Sequence, residues 1–121
     1  MTSIGPFFRT ASEGDVFVVE ICQPVGSLSD SVVLTQLDEV LDALKSSGLA
    51  KLLVDFRQTP YFGSSLLEGL RLLWNCIHAA DGKMVLCNPS QVGREILEIA
   101  KFDHLWPIVN DRAAGLALLS H

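Results

Sequence analysis

From residue 50 onward the chain repeats one grammar three times: a short apolar run, a turn signal, then apolar residues at helical spacing. "AKLLVDF" leads into "SSLLEGLRLLWNCIHAA", "KMVLC" into "SQVGREILEIA", and "LWPIV" into "RAAGLALLS". Strands that alternate with helices require a sheet with parallel neighbours and crossover helices. Runs as apolar as "LLV" also suit strands that are covered on both faces. No other feature of the chain narrows its fold so far.

Upstream, "GDVFVVEIC" reads as a strand because it is rich in β-branched residues and stops short of Pro24. "IGPFFR" before it reads as a first edge strand, with Pro6 tolerated at an edge. Val33, Leu37, Val40, Leu41 and Leu44 then form one helical stripe, capped by Ser29 or Asp30 and ended by Gly48. Ser90 and Asp111 are expected to cap two later helices. The predicted fold is an α/β sandwich: a mixed sheet of about five strands with about four helices, in one domain over residues 1–121.

Of the 121 residues, 49% are hydrophobic and 19% charged, which argues against disorder. Apolar runs stay well below the ~20 residues of a membrane span. The start "MTSIGPFFRT" has neither the basic region nor the long apolar stretch of a signal peptide. Cys22, Cys76 and Cys87 are odd in number and scattered, so they read as reduced core thiols of a cytoplasmic protein. With a net charge of -5 and nine dispersed cations, neither nucleic acid nor an anionic membrane is the expected partner.

The segment "VDFRQTPYFGSSLLEGL" carries the functional question. Ser65 followed by Glu68 matches a capping box, which assigns Ser65 as helix cap at about 1 kcal/mol and puts Glu68 in the first turn. Ser64 then lies just outside the helix with an uncommitted hydroxyl, and Gly63 softens the loop before it. A phosphate on Ser64 would face the helix N–H groups. The plain alternative is that both serines are turn residues.

Other chemistry finds less support. An esterase elbow centred on Ser65 would need glycine where Leu67 stands, and nothing places His78 or His104 beside it. There is no phosphate-binding or dinucleotide motif, and no spacing that suits a metal. No cofactor is expected. Asp38, Glu39 and Asp42 read as a solvated helix face, Trp74 as core, and Trp106 as core or exposed patch. Leu66, Leu67 and Leu70 read either as buried or as an apolar docking ridge beside Ser64.

In their order, these segments resemble a STAS domain of the anti-sigma-factor antagonist type, over roughly residues 14 to 120. The resemblance rests on the strand that ends in Asp55, the Gly63-Ser64-Ser65-Leu66 loop, the Asn88-Pro89 step, the "LWPI" run and the Ala-rich last helix. It implies that Ser64 is the phosphorylated position of a bacterial regulatory protein rather than an enzyme. It also implies a partner-binding surface of Gly63, Ser64, Ser65, Leu66, Leu67, Glu68, Leu70 and Asn88. The implied partners are a serine-kinase anti-sigma factor and a serine/threonine phosphatase, and a homodimer is compatible. Gly63 stands where the family usually has Asp, and Leu66 where it has Gly. A second implication is therefore an unphosphorylated adaptor in a signalling complex or transporter.

Overall fold

The computed structural model describes residues 2–22 and 30–120, with 30 and 31 by backbone alone. Three strands open the chain: β1 (Thr2–Ile4), β2 (Phe8–Glu13) and β3 (Val16–Ile21). There follow α1 (Asp30–Ser47), β4 (Lys51–Asp55), α2 (Ser64–Ala79), β5 (Lys83–Cys87), α3 (Gln91–Ile99), a 3-10 turn (Phe102–His104), β6 (Ile108–Val109) and α4 (Arg112–Leu119). The sheet runs in chain order from β1 to β6. β1, β2 and β3 are antiparallel, and β3 to β6 are parallel.

The expected mixed α/β sandwich with four helices is present, with six described strands instead of about five. The extra one arises upstream. Gly14, at φ 61°, makes a two-residue turn with Asp15, so residues 8–13 pair with β3 as a hairpin. Pro6 lies in the turn between β1 and β2, not on an edge strand. "LWPIV" yields only the two-residue β6, because residues 102–104 form the 3-10 turn and Trp106 turns inward. The expected cap of α1 lies outside what is described.

Period-two alternation in the strands divides the core. Phe17, Val19, Leu52, Val54, Met84 and Leu86 meet α1, α2 and α3 on one face. Val16, Val18, Leu53, Val85 and Cys87 meet α4 on the other. Trp106 belongs to the first core, edge-on to Phe102 at 4.9 Å and to Trp74 at 6.0 Å. Helix α4 lies close to the sheet because Gly115 has no side chain: a Cβ there would sit 2.5 Å from a Leu53 methyl.

Candidate functional site

Both halves of the site lie at the C-terminal ends of the parallel strands, where open α/β sheets place their ligands. The first half is the loop 56–63 and the start of α2. Phe56, Thr59 and Phe62 are buried and anchor the loop from beneath, with the two rings 5.2 Å apart. The Thr59 N–H donates to the Phe56 carbonyl. The Ser90 hydroxyl donates to the Pro60 carbonyl and accepts from Gly93 N–H, so it caps α3, as expected, and ties that helix to the loop. Above these anchors, Arg57, Tyr61 and Ser64 face solvent, with Tyr61 52% exposed.

Helix α2 starts differently from the capping-box expectation. Gly63 is the cap residue, and its carbonyl accepts from Leu66 and Leu67 N–H. Ser64 and Ser65 are therefore the first two helical residues, with no side-chain cap, and Glu68 falls beyond the first turn. The core explains the earlier start. Phe62 and Leu66 are both buried, and a helix that begins at Gly63 can sink both. Glycine is an acceptable cap residue, so little is lost. Ser64 is exposed at the positive end of a 16-residue helix.

The second half is a charged network on the α4 side. Register aligns Arg9, Glu20, Asp55, Cys87 and Val109 in one row across five strands. Glu20 and Asp55 are each only 2% exposed, and they are neighbours on adjacent strands. Like charges opposite each other in a sheet repel. Arg112, from the first turn of α4, answers both. Its Nη2 lies 3.0 Å from Glu20 Oε2 and 3.0 Å from Asp55 Oδ2, its Nε 3.1 Å from Asp55 Oδ2, and its Nη1 3.2 Å from Glu13. Burial opposes the Arg112 charge, but Asp55 and Glu13 outweigh it and raise its pKa. The other carboxylate oxygens are also held: Asp55 Oδ1 accepts from Arg57 N–H at 2.9 Å and from Asn88 Nδ2 at 3.1 Å, and Glu20 Oε1 from Gln58 Nε2 at 2.9 Å. A cavity of about 510 Å³ opens over this network.

Cys87 lies in the same row, beside Asp55. Burial, then the Asp55 charge, push its thiol up to about 12. The thiolate is the reactive form, so at pH 8 a thiol reagent is expected to modify folded Cys87 tenfold or more slowly than the unfolded chain. Mass-resolved labelling with and without urea measures this.

Most of the expected contact residues cluster at the loop, but not in equal roles. Gly63, Ser64, Ser65, Leu67 and Glu68 lie at least partly at the surface. Leu66 and Leu70 are buried, so the apolar ridge does not form and these two support the loop from the core. Asn88, at φ 59°, braces Asp55. His78 lies in the last turn of α2, about 20 Å along the helix from Ser65 and too far to act as its base. Sequence reasoning missed Glu13, Glu20, Arg9 and Arg112 as a group. The available signal was a carboxylate set in each of two apolar strands, since a buried charge demands a partner.

Comparison with known proteins adds four findings. The STAS domain family model matches residues 9–114. The anti-sigma factor antagonist so named as BtrV of Bordetella bronchiseptica is 29% identical over 82 residues, which span 68% of this chain and 71% of that protein. Among solved structures, a Thermotoga maritima protein described as an anti-sigma factor antagonist superposes with a TM-score of 0.79 at 15% identity, covering 94% of this chain and 95% of that one. The antagonist SpoIIAA, in its unphosphorylated form, gives 0.74 at 15% identity over 90% and 92% of the two chains.

Proposed function

This chain belongs to the STAS domain family, and from that premise we propose that it is an anti-sigma factor antagonist switched by phosphorylation at Ser64. In this reading the unmodified domain binds a serine-kinase anti-sigma factor through the loop 56–63 and the start of α2, and so releases that factor's target. Phosphorylation by the kinase ends the complex, because a phosphate of about -2 charge is costly in a close interface. A serine/threonine phosphatase restores the unmodified form.

One observation carries the reading: Ser64 is exposed at the first position of a long helix, on a loop fixed by buried anchors. A kinase can reach its hydroxyl, and a partner meets a preformed surface. The similarity to BtrV supports the choice of partner. Among the described residues, no helix is long and apolar enough to cross a membrane. The test is incubation with the anti-sigma kinase of the same genome and ATP, read by intact mass. Gain of one phosphate, lost in Ser64→Ala, is the expected result.

Gly63 favours a second reading. No carboxylate precedes Ser64, and none lies in the first turn of α2. An adaptor that binds its partners without modification has the same surface and no need of the acid. Partner binding with no phosphate gain, under conditions that modify a related domain, selects the adaptor.

A further inference from the structure

We infer that Arg112 is a positioning residue for the loop 56–63, acting from the opposite face of the sheet. The inference deepens the proposed function, since it concerns the loop that presents Ser64. Helix α4 packs on the face away from α2, and among the described residues Arg112 is linked to this loop through two carboxylates. Asp55 holds the backbone N–H of Arg57, and Glu20 holds the side chain of Gln58, so the first two exposed loop residues hang on these two acids. One guanidinium nitrogen is shared between the acids at 3.0 Å each.

The location of Arg112 is locally unfavourable. It is the first residue of α4, where the helix dipole disfavours a cation. Asp111 caps that helix by accepting from Ala114 N–H, so Arg112 has no capping duty. A residue that violates local preference is retained for what it contacts elsewhere. Its contacts here are three carboxylates on β2, β3 and β4. Among the described residues, no other cation contacts both acids. Arg9 reaches Glu20 only at 3.8 Å with a side chain 44% exposed. Without Arg112, Glu20 and Asp55 repel across the β3–β4 ladder. One relief is for a carboxylate to take up a proton; the other, on which the positioning role rests, is for it to swing into the adjoining cavity and release its loop partner.

The experiment is amide hydrogen exchange on the full, unmodified chain, comparing the native protein with Arg112→Gln and Arg112→Lys. The probes are the Arg57 amide, held by Asp55, and the Thr59 amide, held by the Phe56 carbonyl. The controls are the Gly82 and Lys83 amides at the other end of the sheet, held by the Ile77 and Ala50 carbonyls. In Arg112→Gln, exchange at Arg57 and Thr59 is expected to rise tenfold or more while the controls change less than twofold. In Arg112→Lys, which keeps the charge but not the fork, the same pattern is expected at about threefold. Adding Glu20→Gln to Arg112→Gln removes the repulsion and should restore at least part of the protection. A uniform rise at all four amides, or no change at Arg57 and Thr59, overturns the inference. If Arg112→Gln does not fold, the Lys variant decides by the same criteria. Exchange needs no kinase, so it stands or falls apart from the phosphorylation test. With the kinase, Arg112→Lys is expected to raise KM for the domain with kcat little changed.

Discussion

Ser64→Asp is expected to weaken binding to the kinase anti-sigma factor by a hundredfold or more while leaving the fold as stable as before. The two halves of that result come from different terms. At the first position of α2 a carboxylate interacts favourably with the helix dipole, by about 0.5 kcal/mol. It also faces exposed Glu68 one turn on, a like-charge pair that costs about 0.3 kcal/mol. These nearly cancel, so the melting temperature should move by no more than about 2 °C. In the proposed complex the partner would enclose the same charge. A mismatched charge in an interface costs several kcal/mol, and about 3 kcal/mol is a hundredfold in Kd. A phosphate carries about twice the charge and should do more. Calorimetric titration and thermal melting of the same preparation read both halves. Unchanged affinity sinks the switch, and affinity lost together with the fold sinks the argument that Ser64 stands clear of the core.

What could be read in advance followed from how local each signal is. The strand–helix alternation was legible because residues 51–119 meet their own periodicity within each segment, and the caps at Ser90 and Asp111 need only the next three residues. The start of α2 differs from the capping-box expectation because a local rule competed with a non-local one. The capping box at Ser65 and Glu68 is worth about 1 kcal/mol, but burying Phe62 and Leu66 is worth about 2 kcal/mol or more for each side chain. The burial term won, and burial depends on distant residues. The hairpin from Phe8 to Ile21 was half seen, since "RTASE" shows no apolar alternation that would mark it as β2. The network was invisible for a similar reason. Glu20, Asp55 and Arg112 are separated by 35 and 57 residues, and only the sheet register sets the two acids side by side under α4. The sequence held a hint, two acids in apolar strands, but not which cation meets them.

Asp55→Ala is expected to lower stability by about 3 kcal/mol, or roughly 10 °C in melting temperature, the largest loss expected from removing any one carboxylate of the network. Its two oxygens accept from Arg57 N–H, Asn88 Nδ2 and two nitrogens of Arg112, and the carboxylate itself is buried. Removal takes one acceptor from each of these partly buried donors, at about 1 kcal/mol for each that finds no replacement. Glu13 contacts the same arginine with a side chain 38% exposed, so Glu13→Ala should cost less, about 0.5 kcal/mol. Arg112 separates the two cases physically: it keeps Glu20 and Glu13 as counterions when Asp55 is gone, so the loss comes from unmade hydrogen bonds rather than from a bare charge. Asp55→Asn tests that distinction. Its amide oxygen can still accept from Arg57, but its NH₂ cannot accept from Arg112, so an intermediate loss is expected in urea melts. If Asn matched wild type, the Arg112 contact would be dispensable; if Asn matched Ala, the loop bond to Arg57 would contribute nothing. Only a value between the two agrees with one acid that serves the helix on one side of the sheet and the loop 56–63 at its end.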